Sequence, residues 1–377
     1  MPDQFNSLIF KGVVLVTLVL FISSCEFNSD QIGKNVSGLN TAQNKSGDST
    51  ENQRDPLREV RSRLPIVSSD DLLTAALQID QLSSLIVFQD DEIKVEWYNG
   101  RLNRNRPINI KSASKNIISS LIGIAIDMGH IGSIDDPVIK YLPDYISNDD
   151  TTGKKDITIR HLLTMSSGLP STSFGNYGRW VTSRDWIAFS LNGQLEAPPG
   201  TRMRYSTGDS HILSAVITRA TGVSTYQFAQ RNLFEPMGVR IGGWDRDPRG
   251  FYFGGNNLAL SPGGLLAYGE MYLNNGVYNN RQIISADWVR ESLEPRFTRT
   301  SFNPRGHDYG YLWWSNTFAS YASYFAWGYG GQYVFILPEL NAVVVITGNP
   351  DTRIRGVNNQ IYGFMDTHIV PFLHRDI

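Results

Sequence analysis

Residues 332–347 read QYVFILPELNAVVVIT: two short apolar runs, 332–337 and 342–347, on either side of Pro338-Glu339-Leu340-Asn341. Runs this short, rich in β-branched and aromatic residues and separated by turn formers, predict two buried strands joined as a hairpin. A matching pair stands near the other end of the chain. Residues 84–89 (SLIVFQ) and 92–98 (EIKVEWY) flank Asp90-Asp91, a plausible two-residue turn. Between the pairs the pattern is mostly helix and loop, beginning with a short helix expected over 71–82 (DLLTAALQIDQL). Strands from both chain ends must therefore meet in one sheet while the middle supplies helices, which is an α+β architecture with a helical insertion.

The chain has 377 residues, 41% hydrophobic and 19% charged, which suits a soluble globular protein and neither a disordered nor a multi-span membrane one. With 34 basic against 36 acidic residues and a formal charge of -2, nothing advertises a polyanionic partner, so no nucleic-acid partner is expected. The lone cysteine, Cys25, excludes intramolecular disulfides and cysteine-based metal sites. Residues 12–22 (GVVLVTLVLFI) follow Lys11 as an apolar run of secretory length, too short to span a bilayer comfortably. The run closes on Ile22-Ser23-Ser24-Cys25, which resembles the lipobox of bacterial lipoproteins. The resemblance implies a lipidated Cys25 and a membrane partner through that anchor; the alternative is an uncleaved N-terminal anchor. Residues 26–55 are polar and poor in large apolar groups, so they read as a flexible tether with a span of about 30 Å. The expected division is a signal peptide over 1–24, the lipidated cysteine and tether over 25–56, and a catalytic domain over 57–377. The expected location is the periplasmic side of a bacterial envelope.

Several catalytic signatures are absent. The chain has no Gly-x-Ser-x-Gly elbow, no His-Glu-x-x-His, and neither Gly33-Lys34 nor Gly153-Lys154 is set in a phosphate loop. What remains is Ser112-Ala113-Ser114-Lys115, the only Ser-x-x-Lys, opening an apolar helical stretch expected to end near Gly129. Residues three apart on a helix lie ~5 to 6 Å apart at Cβ, so the Lys115 amine can approach the Ser112 hydroxyl. A lysine desolvated by an apolar surround moves toward the neutral, proton-accepting form that a serine nucleophile needs. About one such tetrapeptide is expected by chance at this length, so its buried helical setting carries the signal. His161, His211 and His307 read as structural.

Residues 199–208 (PGTRMRYSTG) resemble the PGxxxxYS loop of the serine β-lactamase-like hydrolases, and residues 157–170 (ITIRHLLTMSSGLP) and 233–239 (LFEPMGV) are similar to two further segments of that superfamily. It spans class C β-lactamases, D-alanyl-D-alanine peptidases, related esterases and 6-aminohexanoate-dimer hydrolases. The resemblance covers nearly all of residues 112–347. It implies an antiparallel sheet flanked by helices, an inserted all-α subdomain and a groove between them. It makes Ser112 the acylated nucleophile, Lys115 its proton partner and Tyr205 the second general acid/base, with no metal or cofactor. Thr207 stands where many relatives carry an asparagine that meets substrate. The third element of the superfamily, a Lys-Thr-Gly or His-x-Gly on an edge strand, matches Trp327-Gly328-Tyr329-Gly330-Gly331-Gln332. Tyr329 then takes the place of the cation, Gln332 and Ser112 supply the oxyanion amides, and Trp327, Gly330 and Gly331 line the substrate.

The eleven aromatics from Tyr309 to Tyr333 read either as an apolar acyl pocket or as core and strand packing. The function this implies is a serine hydrolase working through an acyl-enzyme on a small-molecule ester or amide. Dimer-hydrolase-like amidase and carboxylesterase activities stand first, β-lactamase or D-alanyl-D-alanine peptidase activity second. A binding lipoprotein without catalysis is the reading from another class, and the oligomeric state is not legible.

Overall fold

The two hairpins do meet. The structure, a computed structural model, describes residues 56–301, 305–351 and 355–374; the apolar run 12–22, Cys25 and the polar stretch 26–55 lie outside them. Strands β1 (Leu82–Gln89) and β2 (Glu92–Tyr98) come first. Late in the chain follow β3 (Asp308–Tyr309), β4 (Trp314–Phe318), β5 (Tyr321–Gly328), β6 (Gln332–Leu337) and β7 (Ala342–Gly348). Together they form one antiparallel sheet in the order β2-β1-β7-β6-β5-β4-β3. The first and last strands of the chain are thus neighbours, in a register that sets Leu85 against Ile346 and Val87 against Val344. Every residue of β6 and β7 is buried, which is why both read as continuous apolar runs rather than alternating ones. Asp90 and Asp91 turn the first hairpin with φ of 51° and 60°, the paired left-handed conformation of a tight hairpin turn.

Helices cover both faces. The elements that matter for the site are α1 (Ser69–Ala76), α2 (Ser114–Asp127), α3 (Thr207–Thr221), α4 (Pro262–Leu273) and α5 (Val357–Phe364). Helix α4 lies directly on the sheet because Gly269 has no side chain there; a Cβ would stand 2.5 Å from Val343 Cγ1. On the opposite face α5 brings Tyr362 against Phe318, Phe325 and Tyr333, and the Tyr333 hydroxyl donates to that of Tyr362 at 3.0 Å. Helix α2 is buried at every position from Ser114 to Ala125, its polar residues included, the pattern of a helix enclosed by others.

Two local expectations shift. The helix expected over 71–82 ends at Ala76, because the chain turns through Gln81 at φ 62° to deliver Leu82 into pairing with Gly348. The middle of the chain is mostly helical, as expected, yet it also carries a small sheet of Ile108–Asn109, Leu258–Leu260 and Gly243–Trp244 and a ribbon of Val277–Tyr278 with Arg281–Gln282. Strands of two or three residues are too short to show an alternating pattern.

Candidate active site

Ser112 does not sit in the first turn of α2. It lies just before it, in a 3₁₀ turn of Lys111–Ala113 that runs into the helix. Lys111 is held at φ 51°, where its amide donates to Asn109 Oδ1 at 2.8 Å, a left-handed step immediately before Ser112. The end of β5 presses on the same turn. A Cβ on Gly328 would stand 2.2 Å from the Ile110 carbonyl oxygen, so only glycine lets strand and turn approach this closely.

Lys115, one helical turn on, is 2% exposed and reaches back so that Nζ is 3.1 Å from Ser112 Oγ. Its other partners are the Gly255 carbonyl oxygen at 2.7 Å and Thr207 Oγ1 at 3.3 Å, all of them neutral. Burial with no compensating anion pulls the Lys115 pKa down to about 7, so a large share of the amine is free base near neutrality. The Tyr205 ring lies 4.9 Å from Nζ, and its hydroxyl is near enough to that of Ser112 to oppose part of its own pKa shift. Burial pushes the Tyr205 pKa well above the ordinary phenol value, so it remains a neutral hydroxyl that can donate a proton. Ser112, Lys115 and Thr207 are therefore one hydrogen-bonded cluster with the Tyr205 ring against it, built from the 3₁₀ turn, α2, the strand-like entry to α3, and α3 itself.

Thr207 has inward partners as well. It is 4% exposed, and its hydroxyl meets Lys115 and, at 2.9 Å, Ser173 Oγ. The first amides of α3 are capped from the same loop: Thr207 N–H donates to Ser173 Oγ at 2.9 Å and Gly208 N–H to Thr172 Oγ1 at 2.7 Å. Asp209, on the first turn of α3, is buried and pushed up to about 7 by that burial. The Ser167 and Ser206 hydroxyls are near enough to oppose the shift, though neither makes an aligned hydrogen bond with the carboxyl oxygens.

The segment matched to the third motif forms the turn between β5 and β6. Gln332 opens β6 opposite Gly328, its side chain buried and its Nε2 donating to the Gly348 carbonyl at 2.8 Å. Gly330 and Gly331 both adopt positive φ, 80° and 86°, and a Cβ on Gly330 would stand 2.7 Å from the Asn349 carbonyl oxygen. Backbone conformation alone thus requires both glycines. Tyr329 projects outward at 45% exposure, while Trp327 is half-buried and donates from Nε1 to Asn358 Oδ1 at 3.2 Å. Of the eleven aromatics, eight are core residues, from Tyr309 to Tyr333; Trp314 among them reaches the cluster, stacked on Tyr205 with centroids 5.8 Å apart.

Beside Tyr205 opens a cavity of about 420 Å³ walled by Ser171, Ser173, Phe174, Asn176 and Met203. A larger one, about 600 Å³, lies across Arg299, Asp308 and Asn316 and holds none of the groups above. Among the described residues no group of three His, Cys, Asp or Glu side chains could hold a metal ion. Sequence reading missed three participants: the Gly255 carbonyl, the Ser173 hydroxyl, and Phe174, whose ring lies 6.3 Å from that of Tyr205. Two of them sit in Gly254-Gly255-Asn256-Asn257 and Ser171-Thr172-Ser173, which announce only loops.

A hydroxyl hydrogen-bonded to a desolvated amine, with a neutral phenol close by, can be deprotonated, attack an electrophilic carbon and return a proton to what leaves. A family model described as Beta-lactamase matches residues 78–361. The 6-aminohexanoate-dimer hydrolase of Paenarthrobacter ureafaciens is 23% identical over 335 residues, 80% of this chain and 82% of that protein. The beta-lactamase of Escherichia coli strain K12 is 25% identical over 232 residues, 58% of each chain. Among solved structures, the penicillin-binding protein from Bacillus halodurans aligns with a TM-score of 0.61 at 17% identity, covering 78% of this chain and 98% of that one.

Proposed function

The chain belongs to the Beta-lactamase family and is a serine hydrolase, and from that premise we propose that it hydrolyses a small neutral ester or amide through an acyl-enzyme on Ser112. The observation that carries this reading is the 3.1 Å approach of a buried, uncompensated Lys115 amine to the Ser112 hydroxyl. The neutral amine takes the Ser112 proton as Oγ adds to the acyl carbon. The oxyanion that forms rests on the backbone amides of Ser112 and Gln332. As the acyl–oxygen or acyl–nitrogen bond breaks, the Tyr205 hydroxyl gives its proton to the departing alcohol or amine and regains one from the Lys115 ammonium. Water repeats the sequence on the acyl-enzyme, losing its proton to the same relay, and the free acid leaves.

The substrate class rests on the third motif. Penicillins and peptide C-termini carry a carboxylate, and the turn from Trp327 to Gln332 offers no cation to meet it. Arg204, next to Tyr205 in sequence, is paired with Glu196, and Lys111 faces Asp351 at 3.8 Å. A neutral ester or linear amide makes no such demand. Secretion and anchoring through Cys25 complete the proposal, on the strength of the lipobox-like leader. The direct test is labelling with a fluorophosphonate probe beside turnover of a panel of aryl esters, linear amides and a cephalosporin. Wild-type protein labels and turns over an ester or amide, and Ser112→Ala does neither; labelling or turnover that survives Ser112→Ala rejects the assignment.

A further inference from the structure

We infer that His211, tied to Asp247, is a positioning residue for the Lys115 amine: it fixes the Gly254–Gly255 segment so that the Gly255 carbonyl takes one Lys115 N–H and the amine lone pair is left facing Ser112. The inference rests on the reading of Lys115 as the proton acceptor, and it concerns how that acceptor is aimed. A neutral amine has two N–H donors and one lone pair. Its three neighbours are Gly255 O, Thr207 Oγ1 and Ser112 Oγ. A carbonyl can only accept, so Gly255 claims one N–H. With the Thr207 hydroxyl directed to Ser173, Thr207 Oγ1 accepts the second, and the lone pair is free for the Ser112 O–H alone. Where the Gly255 carbonyl sits therefore decides which way the base points.

That carbonyl belongs to a loop, yet the loop is pinned. Gly254 N–H donates to His211 Nδ1 at 3.3 Å. An amide can only donate, so Nδ1 is unprotonated and the ring proton is on Nε2, which donates to Asp247 Oδ2 at 3.0 Å. Asp247 Oδ1 in turn accepts from the amides of Arg249 and Phe251, both at 2.9 Å, so the carboxylate holds its own turn together. Both side chains of the pair are wholly buried, and the rings of Trp180, Trp186 and Phe253 enclose the imidazole at centroid distances of 5.3 to 5.8 Å. The two glycines are pressed onto α3: a Cβ would stand 2.1 Å from the Ser210 carbonyl oxygen at Gly254 and 2.4 Å from Ser210 Oγ at Gly255. A polar clamp from α3 to this one segment, ending 2.7 Å from Nζ, is more than a core needs for packing.

Two substitutions separate aiming from mere support. Asparagine at 211 can present its amide oxygen where Nδ1 was and so keep the Gly254 bond, but it does not reach Asp247. Glutamine reaches Asp247 but offers Gly254 nothing. Support alone favours glutamine, since leaving the buried Asp247 Oδ2 without its donor is the costlier defect. Aiming favours asparagine. Full-length wild type, His211→Asn and His211→Gln are compared for kcat and KM on a neutral aryl ester, over a pH series and at a temperature where circular dichroism shows all three folded, with Ser112→Ala as control. We expect kcat of His211→Gln to fall about 10- to 100-fold with KM little changed, and His211→Asn to keep kcat within about 3-fold despite its lower melting temperature. The acid limb of kcat/KM moves to lower pH in His211→Gln, because a carbonyl that favours the ammonium has drifted away, and stays in place in His211→Asn. The groups facing Nζ apart from that carbonyl are Ser112, Thr207 and the Tyr205 ring, all neutral and unchanged. A kcat for His211→Gln equal to or above that of His211→Asn overturns the clamp. Turnover by Ser112→Ala overturns the underlying reading instead.

Discussion

Lys115 Nζ and the Gly255 carbonyl oxygen stand 2.7 Å apart although 140 residues separate them in the chain, and among the described residues no carboxylate hydrogen-bonds to the amine. A lysine solvated only by neutral oxygens loses its proton easily, and its pKa of about 7 has a kinetic consequence. The free base is the reactive form, so kcat/KM for a neutral ester should climb through a limb centred near pH 7 and level off above it. A profile measured from about pH 5 to about pH 9 checks this, and a flat one would remove Lys115 from the role of base.

The same amine weakens the fold. Its folded pKa lies below the unfolded value of 10.5, so between about pH 7 and pH 10.5 the unfolded chain binds the extra proton and stability rises with pH. Lys115→Met, which removes the buried amine at similar volume, should be inactive. Its stability relative to wild type should be greatest at and below about pH 7 and decline toward pH 10.5. Urea titrations at several pH values read this directly; a difference that does not change with pH contradicts the desolvation account.

Tyr205 is assigned to the leaving group, so its loss should depend on what leaves. Tyr205→Phe keeps the ring against Trp314 and removes only the hydroxyl that lies near Ser112. Turnover of a linear amide, whose amine must be protonated to depart, should fall by at least ~100-fold, and that of a nitrophenyl ester by much less. Equal losses on both substrates would place Tyr205 in the attack step.

How far these residues could be found without coordinates depends on what kind of atom does the work. Both hairpins and their turns were legible because β-branched runs and the Asp90-Asp91 pair are side-chain signals, and each strand appears within about two residues of its expected bounds. The Ser112–Lys115 approach was legible from spacing, even though Ser112 lies in the 3₁₀ turn ahead of the helix and Lys111 carries the left-handed step that no residue type announces. The Gly255 carbonyl and the Ser173 hydroxyl were not legible. One is a backbone atom common to every residue, and both reach the site only through the long connections that fold back over α3. The inward contacts of Thr207 were not legible for the same reason. Its chain position matched a substrate contact, while the burial that turns its hydroxyl to Lys115 is a property of the packed structure.

The last prediction concerns the exposed turn between β5 and β6. Tyr329 stands there at 45% exposure where a cation would meet a carboxylate, and Thr207, the other altered position, is buried beneath Lys115. A charge-assisted contact to a carboxylate is worth ~1.5 to 3 kcal/mol, about one to two decades of specificity. Wild-type protein should therefore show higher kcat/KM on neutral aryl esters or small linear amides than on a cephalosporin. Position 329 has the backbone and the solvent access to accept a longer side chain without disturbing Gly330 or Gly331, whose positive φ angles shape the turn. Tyr329→Lys should accordingly narrow the gap by raising cephalosporin turnover while leaving ester turnover within a few-fold. A wild-type protein that prefers the cephalosporin would mean that another cation meets the carboxylate, and Arg204, released from Glu196, is the first to test by Arg204→Gln.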